Sequence, residues 1–485
     1  MSTKSEPGTN PHRHGVGFRS ERGPLLVALM LATGLVAIDA TILATSVPSI
    51  VGDLGDFSQF PWLFSIYLLA QAVSVPVYAK LSDTLGRKPL ILFGIGLFLL
   101  GSILCGLAWS MPALIVFRVI QGLGAGAVQP IAVTIAGDIY TVEERAKVQG
   151  YLASVWAIAS VAGPLLGGLF SEFLSWRWIF FVNIPLCIVA GWMIVTHFHE
   201  KIEKTKHRID YAGSAVLTVA LSALILAVLE GGEAWAWDSP ASIGAFAFGG
   251  LMLVVFVFVE RHAAEPVLPL WVFSRRLLLT TTLISLGVGA ILLGVTSFVP
   301  TFLEGALHIT PLVSGLAVAA ITLGWPLAAS QSGRLYLRIG FKRTILIGMV
   351  LAVLGALSLS FTAGRPDLLV VAASCFVIGL GLGLVATPSL IAAQSSVPWE
   401  ERGVVTGTNF FARSIGSAVG VAVFGAIANG IYAGHPGGES DPATVAVASG
   451  AAFVAVLVCA VATVAAAAAM PDARLRSDGR VATAG

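Results

Sequence analysis

Charge is scarce in this chain. Only 11% of its 485 residues are Asp, Glu, Lys or Arg, against about 25% in ordinary soluble domains. With 56% hydrophobic residues and a mean hydropathy of +0.90, a soluble globular domain is excluded. The net charge of +2 supplies no basic surface for nucleic acid. Cysteine is equally sparse. Cys105, Cys187, Cys375 and Cys459 each sit inside an apolar run, where a thiol acts as a small packing group, so neither a disulfide framework nor a thiolate metal site is legible. The pairs His12/His14 and His197/His199 lack the further spaced ligands of a zinc site. No nucleophile, base and orienting group form a constellation, so neither enzyme activity nor a cofactor is expected.

What the chain has instead is long apolar runs. A hydrocarbon layer about 30 Å thick takes roughly 20 residues of helix, and lipid leaves no backbone group unpaired. Fourteen such runs fall near 24–50, 60–79, 90–109, 113–136, 149–170, 179–198, 211–229, 241–259, 278–303, 312–331, 344–362, 367–391, 404–432 and 443–470. β-Barrel strands would be about ten residues long and alternate in polarity, which these do not. The fold class is therefore all-α and polytopic. The first run is longer than the roughly 7–15 residues of a signal-peptide core, and an uncleaved first span is expected.

Basic residues orient the chain, because loops rich in Lys and Arg stay in the cytoplasm. With the N-terminus inside, Arg13, Arg19, Arg22, Arg87, Lys88, Lys201 to Arg208, Arg275, Arg276 and Arg338 to Arg343 all fall inside. Outer loops then hold Arg177 and Arg365 beside the acids Asp53, Asp56, Glu233 and Asp238. This predicts a multi-pass protein of the cell membrane with both termini cytoplasmic.

The stretch AKLSDTLGRK at 79–88 recurs in degraded form as GRLYLRIGFK at 333–342, aligning Leu81 with Leu335, Gly86 with Gly340 and Lys88 with Lys342. A second repeat superimposes GLGAG at 122–126 on GLGLG at 379–383, and Glu143, Glu144 and Arg145 on Glu400, Glu401 and Arg402. These glycines lie within spans, with no preceding strand, so they read as close helix contacts and not as a nucleotide loop. The duplication predicts a tail over 1–23, a six-helix bundle over 24–199, a linker over 200–270 with two inserted helices, a second six-helix bundle over 271–470 and a tail over 471–485. Repeats of this kind put a substrate site near the midplane between the bundles.

At these residues the chain resembles the major facilitator superfamily, in its fourteen-span drug:proton antiporter branch. Residues 79–89 are similar to the family's loop signature, with Asp83, Gly86, Arg87 and Lys88 in place and Ala79 where a glycine is usual. Arg118, Gln121, Gly122 and Gly124 resemble the Arg-x-x-Gln-Gly-x-Gly pattern of span 4. Gly150, Gly163, Pro164, Gly167 and Gly168 resemble the antiporter signature of span 5, with Ala159 at its middle glycine. In span 1, Asp39, Thr41 and Pro48 match an Asp-x-Thr stretch ending in proline, although the usual following Asn is missing near Ala44 and Thr45. WRWIFFVNIP at 176–185 is similar to the junction before span 6.

The resemblance implies a secondary transporter exporting amphipathic drugs or antibiotics in exchange for protons, hence multidrug efflux and antibiotic resistance. Proton-coupled uptake of a metabolite and a non-transporting membrane sensor are the alternatives. A charge at bilayer depth costs at least about 2.5–3.5 kcal/mol, so Asp39 is the candidate proton carrier and Arg118 the group that tunes it. Asp83, Gly86, Arg87 and Lys88 are the candidate gate latch, with Asp83 able to cap a facing helix or pair with arginine. That acid is Leu337 in the second copy, which predicts a one-sided latch. Pro164 between Gly163 and Gly167, Gly168 predicts a pliable, closely packed helix. Tyr67, Gln71, Trp156, Asn409 and Phe410 are candidate cavity groups. Glu304 reads equally as a helix-end acid, a cation attractor or a second proton site. Arg413 reads as a structural cation able to snorkel. The expected partners are the bilayer, protons and a small amphipathic substrate.

Overall fold

The computed structural model describes residues 16–43, 46–55, 62–200, 210–230, 235–236, 239–263, 266, 271–364, 366–435, 441–475 and 481–483. The tail residues His12, Arg13 and His14, together with Ala44, Thr45, Asp56, Lys201 to Arg208, Glu233, Asp238 and Arg365, lie outside the described residues. The first half of the chain forms α1 (Gly23–Ile42), α2 (Val47–Leu54), α3 (Trp62–Leu85), α4 (Arg87–Gly106), α5 (Met111–Ile139), α6 (Val142–Phe173), α7 (Trp178–Phe181) and α8 (Asn183–His197). A pair follows, α9 (Tyr211–Glu230) and α10 (Pro240–His262). The remainder forms α11 (Trp271–Ser274), α12 (Arg276–Leu307), α13 (Pro311–Ile339), α14 (Phe341–Thr362), α15 (Leu368–Ser395), α16 (Arg402–Ala433) and α17 (Pro442–Ala469).

Among the described residues, 13 helices are long and apolar enough to cross a membrane, with α7 and α8 counted as one span. The apolar stretch Ala212–Ala227 within α9 is shorter and occupies the place of the run at 211–229. Large apolar side chains such as Phe93, Trp192, Phe258, Leu354 and Phe361 are exposed on the outside, as lipid-facing residues are. The protein is a multi-pass, all-α membrane protein.

Three boundaries differ from the sequence reading, each for a physical reason. The run at 24–50 is two helices, because Pro48 lies in the first turn of α2, where its missing N–H is harmless, whereas one continuous helix would need that N–H. Several helices overrun their apolar cores: α6 and α16 each have 32 residues, and α3 continues through Lys80 and Asp83 to Leu85. Hydropathy marks only the portion matched to lipid, whereas a helix continues until its backbone is capped. At α6 the start is a capping box between Thr141 and Glu144, visible as TVEE in the sequence. Finally, the tail over 471–485 carries a short antiparallel pair, β1 (Ala473–Leu475) with β2 (Val481–Thr483).

Helices α1 to α8 pack among themselves, as do α12 to α17, and α9 packs on α10. The two sets meet along two seams, α6 against α13 and α3 against α16. Glycine makes both seams close. A Cβ on Gly407 would strike the methyl of Ala79, and one on Gly150 would strike Ser330. The α9/α10 pair lies over the second seam, where Leu217, Leu221, Ile225 and Phe256 join Leu69, Val73, Phe411 and Ile415.

The duplicated loop is also duplicated in backbone. Gly86 (φ 95°, ψ 157°) and Gly340 (φ 90°, ψ 161°) each precede the next helix in a conformation that a side chain strains. Gly86→Ala should therefore lower the thermal midpoint of the purified protein, by the equivalent of about 1–3 kcal/mol. Gly168→Ala, where a methyl meets open space, should leave it unchanged.

Candidate functional site

Two polar sites are built on this frame. The first lies at the far end of the set α1 to α8, opposite the end bearing Arg22, Arg87 and Lys88, which we call the basic end. Asp39 near the end of α1 meets Arg118 on α5, with Nη1 to Oδ2 2.7 Å and only 1% of either side chain exposed. Arg118 and Gln121 share one face of α5 at i, i+3, and Gln121 Nε2 donates to the other Asp39 oxygen at 2.7 Å. Arg118 also donates to Gln121 Oε1 at 2.8 Å and, through Nε, to the Leu63 carbonyl at 3.0 Å. Asn183, at the head of α8, reaches Asp39 Oδ1 at 3.5 Å and Ser102 Oγ at 3.4 Å. Ser102 accepts in addition from Gln121. Tyr67 roofs the group, with the Arg118 guanidinium 4.1 Å from its ring centroid. Among the described residues its hydroxyl has no hydrogen-bond partner.

The Asp-x-Thr and glycine signatures meet beside this pair. Thr41 Oγ1 donates to the Ala159 carbonyl at 2.9 Å, and the space it fills is the one a Cβ on Gly163 would take. Ser46 donates to the Gly167 carbonyl at 3.2 Å, while Gly168 faces open space. Pro164 lies within α6, between these contacts. Beyond them, WRWIFFVNIP has two anchors. Its Asn183 joins the buried network, and its Trp176 and Arg177 both donate to Asp53, at 3.0 and 2.7 Å. The Arg177 bond first, then that of Trp176, holds the Asp53 carboxyl below the usual carboxylate range.

The second site closes the basic end. Asp83 accepts from the backbone N–H groups of Gly403 (2.9 Å) and Val404 (2.7 Å) at the start of α16, and pairs with Arg87 at 2.6 Å. Arg87, fully buried, also pairs with Asp138 at the end of α5 (3.1 Å) and donates to the Trp399 carbonyl (2.8 Å), stacking on that indole. Asp138 in turn holds Arg402 at 3.1 Å. The backbone N–H groups of Arg87 and Lys88 both donate to Glu200 at 3.0 Å, and Lys88 Nζ donates to the Val195 carbonyl at 2.9 Å.

The second repeat register makes these contacts reciprocal. It aligns Asp138 with Ser395 and Arg145 with Arg402, and as Arg402 binds Asp138, so Arg145 binds Ser395, at 2.8 Å. It also aligns Val142 with Trp399, and the carbonyl of Val142 accepts from Tyr336. The seam opposite Asp83 is thus bridged too, by neutral acceptors in place of carboxylates. Expecting a bare second side from Leu337 alone overlooks Ser395 and Tyr336, which carry no charge to draw attention.

The remaining candidates are scattered. Gln71 faces Gln129 at 3.4 Å, and Trp156 and Phe410 are half-buried. Asn409 is buried between α12 and α16, donating to the Val405 carbonyl (3.0 Å) and accepting from Ser285 (2.7 Å), so its polar atoms are used in packing and not on an open surface. Glu304 accepts from Ser314, tying α12 to α13. Arg413 does not snorkel towards a helix end; its guanidinium lies between Trp325 and Phe410. Sequence reasoning did not assign roles to Ser102, Asn183, Asp138, Glu200, Trp399 or Arg402. For Arg402 and Asn183 the signal was present, in the EER repeat and in the NIP of the junction.

The sequence profile of the Major Facilitator Superfamily matches residues 29–421. The chain belongs to the major facilitator superfamily. It is 36% identical over 413 residues to the multidrug transporter protein MdtP of Bacillus subtilis (strain 168), covering 85% of this chain and 76% of that protein. With multidrug resistance protein 3 of the same organism it shares 34% identity, over 84% of this chain and 80% of the relative. Among solved structures, the human organic anion transporter MFSD10 (TETRAN) superimposes with a TM-score of 0.64 at 14% identity, covering 91% of this chain and 99% of that one. A bacterial homologue of the iron transporter ferroportin in an outward-facing state gives 0.64 at 12% identity, over 92% and 99%. At such identities the superpositions establish the fold alone; the family match and the curated relatives make the chain a membrane transporter.

The site's energetics are testable by a double-mutant cycle. Removing one member of a buried pair leaves the other charge stranded at a cost of about 3–5 kcal/mol. Arg118→Met should therefore sharply lower the thermal midpoint, and the double variant Asp39→Asn/Arg118→Met should recover a large part of the loss.

Proposed function

We propose that this transporter exports amphipathic drugs or antibiotics across the cell membrane in exchange for protons, by alternating access. The names of two relatives as multidrug proteins support the substrate class. The observation that carries the coupling is the Asp39–Arg118 pair. Both carboxylate oxygens accept hydrogen bonds, from Arg118, Gln121 and Asn183, so the arrangement suits the deprotonated acid. Protonation removes one charge from a pair that low-dielectric surroundings make strongly coupled, and Arg118 is left to Leu63 and Gln121. The packing of α1, α5 and α8 thereby senses the proton.

In this reading residues 24–199 and 271–470 are the two moving bundles, residues 200–270 link them with two added helices, and the basic end is cytoplasmic, with both tails. The latches described at that end support a state closed to the cytoplasm and open outward. Asp83, Arg87 and Asp138, with Arg402 opposite, hold it shut, while Gly86 and Lys88 shape and anchor the loop. The smooth face of α6 at Gly163 and Gly167, and the missing donor at Pro164, let α1 reposition against it, while Gly168 lies off that face.

Proteoliposomes bearing an inward proton gradient test this directly. Wild-type protein should drive counterflow of a cationic dye, and Asp39→Asn should lose coupling to the gradient. Retained proton-driven export with unchanged pH dependence in that variant would refute the carrier role, and co-transport of dye and proton in one direction would refute export. Hydrogen bonds to a charged group contribute about 1.5–3 kcal/mol, so Asp83→Asn should shift the closed-to-open balance about tenfold or more. Transport should fall while dye binding persists; unaltered transport would remove the latch.

A further inference from the structure

Arg413 is a charge within a span that neither site uses. It stands within α16, about 16 Å from the helix start at 1.5 Å per residue, too deep for its side chain to reach a helix end easily. Its guanidinium carbon lies 5.3 Å from the Phe410 ring centroid and 5.6 Å from that of Trp325 on α13. Among the described residues it has no carboxylate or carbonyl partner, and its buried Nε donates to nothing. Arg87, Arg118 and Arg145 are also deep in the protein, yet each donates to a carbonyl, a carboxylate or a hydroxyl. An arginine serving only to join helices would be expected to resemble those three.

Its position explains what the free donors face. Helix α13 packs on α6 and α16 packs on α3, so both flank the junction of the two helix sets. Arg413 reaches from one towards the other, and the residue is half-buried. Asp39, by contrast, is enclosed by its own donors and offers no bare charge. Among the described residues, Arg413 is thus a cation beside the junction of the two sets that lacks an acceptor and has two aromatic rings next to it.

We infer that Arg413 receives the anionic group of the transported molecule, a carboxylate gripped by the guanidinium fork, while the aromatic body of that molecule lies along Trp325 and Phe410. The inference rests on the export reading and narrows its substrate class to aromatic amphiphiles bearing an acid, zwitterions included. The planar fork matches two carboxylate oxygens at once, which an ammonium does not.

Rhodamine B and its ethyl ester share one aromatic cation and differ in the free carboxylate. Their equilibrium binding to the full chain in nanodiscs, read by fluorescence polarisation without a proton gradient, tests the assignment. Wild-type protein should bind the free acid about tenfold more tightly or better, and Arg413→Gln should bring the two dyes level by weakening the acid alone. Arg413→Lys should keep part of the preference. Equal wild-type affinities would overturn the assignment whether or not any variant folds, and so would an Arg413→Gln protein that keeps the preference or loses both dyes alike. Wild-type protein that binds neither dye would instead contradict the amphiphile-carrier reading on which the inference stands.

Discussion

An ionised carboxylate and a guanidinium held 2.7 Å apart, each 1% exposed, are stable in a membrane protein only when each completes the other. The Asp39–Arg118 pair meets that condition by drawing on five helices. Asp39 comes from α1, Arg118 and Gln121 from α5, Ser102 from α4, Asn183 from α8, and the carbonyl of Leu63 and the ring of Tyr67 from α3. The same bonds that make the charges tolerable therefore fix how these helices stand together. A change of charge on Asp39 is necessarily a change in their packing.

Helix α5 connects this pair to the basic end. From Arg118 to Asp138 it runs about 30 Å at 1.5 Å per residue, and along it Gly122, Gly124 and Gly126 bring α3 and α4 into backbone contact. A rod so closely packed moves with its neighbours, which favours rocking of whole helix sets over local bending. The reciprocal contacts at the basic end suit that motion. One seam is held by carboxylates, Asp83 and Asp138, and the other by Ser395 and the Val142 carbonyl, so the seams differ in charge although their geometry is repeated.

Much of this was legible in the sequence, because membrane insertion imposes coarse rules. Apolar length located the helices, the repeated loop glycines marked matching turns, and the rarity of buried charge singled out Asp39 and Arg118. Helix ends were less legible, since residues such as Lys80, Asp83 and Glu144 are charged yet helical, and the break between α1 and α2 follows from one proline. Neutral partners were hardest to foresee. Ser102, Ser395 and Tyr336 are ordinary residues whose roles arise only when distant helices meet, and Asn409, which has the chemistry of a cavity group, spends it on Val405 and Ser285.

The central claim is that one group, Asp39, both organises the bundle and exchanges the proton. The most direct measurement is the number of protons released to weakly buffered solution when rhodamine B is added to the purified protein at a pH where binding is half-maximal. The account predicts release from the wild type and none from Asp39→Asn at matched dye occupancy. Equal release from both proteins would contradict it.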